Sequence, residues 1–195
     1  MTAPILATTR SLRESRASLR GQSMRRPADT DRIRRLAREL GKAVTPGTRM
    51  YLTGGATAVL EGWRDSTVDI DVRFEPDSDA ALSRIRDLKE ELEINVELAS
   101  PLDFLPALDG WRERCHFRFR EGNLEVFDFD LYSQALSKLE RSFELDLNDV
   151  NHMVSSGQVD PHELLRLLEG VEAEAFRFPA VDPKRLRATV ESLIP

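Results

Sequence analysis

Two acids one residue apart inside a run of β-branched residues constrain this chain more than any other feature in it. The segment reads Ser66-Thr67-Val68-Asp69-Ile70-Asp71-Val72. In an extended strand, residues i and i+2 share a face. Asp69 and Asp71 therefore project together, and Val68, Ile70 and Val72 are expected to point into the core. Paired carboxylates repel each other, and burying them is costly unless something positive neutralises them. A shared cation does this. All-oxygen ligation favours Mg²⁺ or Mn²⁺, and Mg²⁺ is commonly held by one or two carboxylates together with substrate phosphates.

Fourteen positions before Asp69 stands Gly55, in Leu52-Thr53-Gly54-Gly55-Ala56-Thr57-Ala58-Val59-Leu60. Met50-Tyr51-Leu52 reads as a strand running into the glycines, and residues 56–62 read as a helix. Glycine lets backbone come close to a ligand, and a helix N-terminus offers free N–H groups to an anion. Gly54, Gly55 and Thr57 are thus candidates to seat phosphates. Thr67 shares the face of the two acids, and Arg64 lies where it can reach a phosphate. Both read equally well as polar residues on a rim. In this order the parts suit a triphosphate held by amides, joined to the aspartates through metal and attacked in line by a hydroxyl.

Gly54-Gly55, Ala58, Arg64, Thr67 and Asp69-Ile70-Asp71 resemble the first motif of the DNA polymerase β-like nucleotidyltransferase superfamily. Within it the pattern is similar to the small bacterial group that includes the AbiEii-like toxins of type IV toxin–antitoxin pairs. That group continues with an Asp-to-Lys stretch and a helical Asp-x-x-Asp, which Asp130 to Lys138 and Asp146-Leu-Asn-Asp149 resemble. The resemblance implies that Lys138 contacts nucleotide phosphates and that Asp146 is a catalytic or base-positioning acid. Read without it, Lys138 is a solvated helix residue, and Asp146 and Asp149 merely favour helix initiation. The superfamily often uses a third carboxylate on a neighbouring strand. Glu97, in Ile94-Asn95-Val96-Glu97-Leu98, is one candidate, and the Asp128/Asp130 pair is another.

Composition sets the frame. The chain has 195 residues, of which 41% are hydrophobic and 32% charged, as in an ordinary soluble globular protein. No apolar run approaches the ~18 residues of a membrane span. The lone Cys115 excludes an internal disulfide, so a reducing, cytoplasmic setting fits. The net charge of -6 hides an asymmetry: residues 1–44 hold eleven Arg and Lys against four acids, the remainder seventeen against thirty. A protein that coats nucleic acid would be basic in its folded part, and this one is not. Residues 1–26 are expected to be a disordered basic tail, with Met24 an alternative start.

Along the rest, periodicity predicts a helix from Thr30 with Ile33, Leu36 and Leu40 on one face and Gly41 as its stop. Further expected elements are a strand over 67–74, a helix over 80–92 with Leu82, Ile85, Leu88 and Leu92 inside, and a strand over 94–98. His116 to Arg120 and Leu124 to Asp130 flank Glu121-Gly122-Asn123 as a hairpin. Helices follow at 135–143, with Leu136, Leu139 and Phe143 on one face, and continue over 148–154. Asp160-Pro161 and Asp182-Pro183 start two more. The expected fold is α+β: a small mixed-sheet nucleotidyltransferase core over 27–132 with flanking helices, then a helical C-terminal region over 133–195. His116, His152 and His162 show no metal-ligand spacing, and the Trp and Phe residues read as packing.

The reading is a Mg²⁺- or Mn²⁺-dependent nucleotidyltransferase with a nucleoside triphosphate as donor. The resemblance implies tRNA or a protein hydroxyl as acceptor, a toxin role and a cognate antitoxin as partner. Two alternatives stand beside it: a non-catalytic binding module that kept the fold, and an enzyme of the aminoglycoside nucleotidyltransferase sort, which differs only in acceptor.

Overall fold

The computed structural model describes residues 25–194. The tail through residue 24, including the alternative start at Met24, lies outside the described residues. Arg25 and Arg26 lie inside them: the Arg25 guanidinium donates to Asn95 and Glu90, and the Arg26 amide donates to the Glu93 carbonyl.

The architecture is α+β. Five strands form one mixed sheet: β1 (Thr48–Thr53), β2 (Asp69–Glu75), β3 (Asn95–Leu98), β4 (His116–Glu121) and β5 (Leu124–Asp128), in spatial order β3-β2-β1-β5-β4. β1 runs antiparallel to β2 and parallel to β5, β2 runs parallel to β3, and β4 and β5 form an antiparallel hairpin. The helices are α1 (Thr30–Ala43), α2 (Gly55–Glu61), α3 (Asp79–Glu91), α4 (Leu131–Arg141), α5 (Glu144–Ser155), α6 (Pro161–Glu174) and α7 (Pro183–Glu191).

Alternation along the strands creates two cores. Met50 and Leu52 of β1, Ile70 and Val72 of β2 and Val126 of β5 pack with Ile33, Leu36 and Leu40 of α1 and Ile85 and Leu88 of α3. Tyr51 and Phe129 enter the opposite core with Leu136 and Leu139 of α4, Val150 and Met153 of α5, and Leu164 and Leu168 of α6. There Trp111 stacks on Phe129 at 4.5 Å between centroids. Asp69 and Asp71 alternate with Ile70 and Val72, so they face the side of α4 to α7. Asp130, Asp160 and Asp182 cap α4, α6 and α7, each accepting two backbone N–H groups of its helix.

Several local expectations are corrected. Gly41 does not stop α1, which continues to Ala43. A Cβ there would stand 1.9 Å from the Glu121 carbonyl oxygen, so this glycine serves close approach to the β4–β5 turn. Val68 is 68% exposed, because β2 begins only at Asp69. Leu82 lies at the exposed edge of α3. The helix expected to run through Phe143 breaks at Ser142, whose φ is 56°, so α4 and α5 are separate and Phe143 is exposed. Cys115 is half-buried. Its thiol donates to the Trp111 carbonyl, and burial pushes it up to about 12.

Candidate active site

An open cleft of about 800 Å³ lies where β1 gives way to α2 and β2 begins. Gly54, Gly55, Arg64, Thr67, Asp69, Asp71, Lys138 and Asp146 all line it. Residues far apart in sequence meet here because β1 and β2 are neighbours and α4 and α5 cover their ends.

The glycines are required by geometry. Gly54 has φ +62°, and a Cβ on it would lie 2.9 Å from Asp71 Oδ2. A Cβ on Gly55 would lie 2.0 Å from Thr67 Oγ1. The turn therefore brings backbone onto the acid pair in a way no side chain would permit. The Gly54 N–H donates to Gln134 Oε1 at 2.8 Å, so this amide is committed to holding the turn on α4.

The acids form a group of three. Sheet register sets Asp71 beside Glu97 and Asp69 beside Asn95. Asn95 Nδ2 donates to Asp69 Oδ1 at 2.6 Å and to Glu97 Oε1 at 3.1 Å, which ties the outer two together. Asp71 is pushed up to about 6, first by burial and then by the charges of Asp69 and Glu97, against the opposing pull of Arg141 and Lys138. Negative charge at this corner is thus only partly compensated by the protein. Three carboxylates with surplus charge are a donor set that fits a hard divalent cation.

Asp128 and Asp130, the competing candidates, lie elsewhere. Asp128 pairs with Leu52 of β1, whose side chain faces the core of α1 and α3, so Asp128 points away from Asp69 and Asp71. Its carboxylate lies 2.7 Å from Arg118 Nε, and burial, partly offset by Arg118, pushes it up to about 7. Asp130 caps α4 and is gripped by Arg114 through both oxygens, at 2.9 and 3.0 Å. His116, for which no metal spacing was visible, does meet Glu61 and Asp128, with ligand atoms within 4.8 Å of one another. Arg118 stands among them, 3.1 Å from Glu61, and supplies that group with a cation of the protein's own.

Facing the acids is a chain of ion pairs. Lys138 Nζ lies 2.6 Å from Asp149 Oδ2 and 3.1 Å from Asp146 Oδ1, and all three side chains are buried. Asp149 also accepts from Arg64 Nε and Nη2, at 2.9 and 2.7 Å, and from the Trp63 indole at 3.2 Å. Arg141 reaches Asp146 at 2.9 Å. Lys138 is therefore no solvated helix residue, and Arg64 ends in a two-pronged grip on Asp149.

One expected residue is placed differently, and another is already engaged by the backbone. Thr57 is fully buried: in the first turn of α2, its hydroxyl donates to the Leu52 carbonyl and accepts from Gln134, away from the cleft. Thr67 stays on the cleft, but its hydroxyl donates to the Asp69 carbonyl. Gln134 and Arg141 were missed. Their spacing of four and three residues around Lys138 places all three on one helical face, and that stripe was the signal available.

A family model described as a nucleotidyltransferase of unknown function (DUF6036) matches residues 31–187, and the chain belongs to that family. No curated protein and no solved structure matches the chain. Among the described residues no helix is long and apolar enough to cross a membrane.

Proposed function

We propose that this member of the nucleotidyltransferase family moves a nucleoside monophosphate from a nucleoside triphosphate to a hydroxyl of RNA, such as tRNA, or of protein. The observation that carries the reading is the meeting of Asp69, Asp71 and Glu97 on one face, against a glycine turn that no side chain could share. Asp69, Asp71 and Glu97 would hold Mg²⁺ or Mn²⁺. Bound there, such an ion neutralises charge on the phosphoryl oxygens and lowers the pKa of the attacking hydroxyl.

The chain's own residues do the rest. Backbone from Gly55 onward approaches the phosphates. Lys138 and Arg141 line the cleft opposite the acids and stabilise charge that develops on the leaving pyrophosphate. Asp146 and Asp149 fix the position of Lys138, and Asp149 fixes Arg64. The AbiEii-like residue pattern extends the reading to a toxin acting beside a cognate antitoxin, and that pattern is its whole support.

The test incubates the protein with each of four α-labelled triphosphates, Mg²⁺, total RNA and lysate protein, and repeats this with Asp69→Asn/Asp71→Asn. Label transfer with release of pyrophosphate is expected from the unaltered chain and not from the variant. Transfer that survives the double substitution, or none with any triphosphate, overturns the reading.

A further inference from the structure

The acid corner opens on two sides. Besides the broad cleft, a narrow recess of about 120 Å³ has Gly54, Asp71, Glu97, Phe104, Lys138 and Arg141 in its lining. The two spaces share Gly54, Asp71, Lys138 and Arg141. Asp69 and Gly55 line only the broad cleft, and Glu97 lines only the recess. A donor triphosphate on the glycine side therefore leaves the recess as the approach for the group that attacks from the far side.

What enters is limited by size and charge. Sites for whole small-molecule ligands run to roughly 300–1,000 Å³, and this recess takes a hydroxyl-bearing arm rather than a second nucleotide. An RNA 3′ end would bring phosphodiesters with it, and RNA-binding sites answer these with free Lys and Arg. Among the described residues, the recess is lined by no Lys or Arg besides Lys138 and Arg141, which on the reading above serve the donor's pyrophosphate, while Asp71 and Glu97 present negative charge. The outer rim is the end of β3 and the turn after it. β3 is an edge strand whose outer side no described strand pairs, and Leu98 and Phe104 beside it are 58% and 46% exposed. An unpaired edge with apolar neighbours suits an extended polypeptide, which binds by adding a strand.

We propose that the acceptor is a side-chain hydroxyl of a polypeptide, laid along the free edge of β3 and projecting into the recess beside Glu97. This rests on the nucleotidyl-transfer reading and narrows its acceptor. The acceptor oxygen bonds to the α-phosphorus. The bond from that phosphorus to the α–β bridging oxygen breaks, its electron pair leaves with pyrophosphate, and the hydroxyl proton passes to water.

The test supplies α-labelled triphosphate and Mg²⁺ with two separated pools, ribonuclease-treated cell protein and deproteinised total RNA. It compares the unaltered chain, Asp69→Asn and Leu98→Lys/Phe104→Lys. Binding of a fluorescent triphosphate and thermal melting are measured alongside. Expected is Asp69-dependent label in the protein pool, at least tenfold weaker with the edge variant, whose triphosphate binding and melting are unchanged. Label confined to RNA overturns the inference and leaves nucleotidyl transfer standing, as does protein labelling indifferent to the edge substitutions. An edge variant that melts early is replaced by Phe104→Ser, read the same way. No Asp69-dependent label in either pool overturns the underlying reading and this inference with it.

Discussion

Lys138 Nζ stands 2.6 Å from Asp149 Oδ2, with both side chains almost wholly removed from solvent. A buried pair contributes little net stability while intact, but removing one partner strands the other charge, at a cost of about 3–5 kcal/mol. The two partners are not equivalent. Without Asp149, the Trp63 indole loses its acceptor, Arg64 keeps only the Leu145 carbonyl and Lys138 keeps only Asp146. Without Lys138, Asp149 keeps Arg64 and Trp63. Asp149→Ala should therefore lower the denaturation midpoint more than Lys138→Met does, which equilibrium urea unfolding of the two variants measures.

That asymmetry also shows what could be read from sequence. The glycine pair, Asp69-Ile70-Asp71, and the strands and helices around them follow from periodicity and turn chemistry, both local properties. That Glu97 rather than Asp128 stands beside Asp71 does not. It depends on sheet order, since Glu97 shares a face with Asp71 only because β3 lies next to β2 in that register. Thr57 reads as a phosphate ligand because it follows two glycines, but the first turn of α2 aims its hydroxyl back at the Leu52 carbonyl. Phe143 looked like core because the left-handed turn at Ser142 leaves no mark that hydrophobic spacing can detect.

Gly55→Ala should be destabilising by about 1–3 kcal/mol, the usual cost of forcing extra volume into a packed site. The added Cβ meets Thr67 Oγ1 at 2.0 Å and Thr67 Cβ at 2.8 Å. Removing the hydroxyl clears the first contact and not the second. In a double-mutant cycle, Thr67→Ala should therefore restore part of the loss and not all of it. Full additivity of the two changes would mean that the turn shifts away from Thr67.

Stability should fall as pH rises from about 4 to 7. Burial pushes Asp128 up to about 7, and burial with the neighbouring acids pushes Asp71 up to about 6. In the unfolded chain both return to the ordinary carboxylate range near 4. Between these values the folded state holds protons that the unfolded state has lost. The stability these groups contribute is thus fully present below pH 4 and is lost as pH climbs through 6 and 7. Each group adds a slope of at most ~1.4 kcal/mol per pH unit. Asp128→Asn should flatten the limb between pH 6 and 7, as urea titrations at fixed pH would reveal.

The third carboxylate separates two arrangements of the site. Glu97 neighbours Asp71 across the β2–β3 register, whereas Asp128 lies on the α1 and α3 side of the sheet and is paired with Arg118. If metal is held by Asp69, Asp71 and Glu97, Glu97→Gln should weaken Mn²⁺ binding by about tenfold or more, a loss of ~1.4 kcal/mol. Asp128→Asn, which removes a charge of the same sign on the other face, should leave Mn²⁺ affinity within about twofold of the unaltered chain, or ~0.4 kcal/mol. Electron paramagnetic resonance of free Mn²⁺ in a titration reads both values directly. Equal effects from the two substitutions would mean that the field of the whole protein, rather than the face shared with Asp71, governs cation binding.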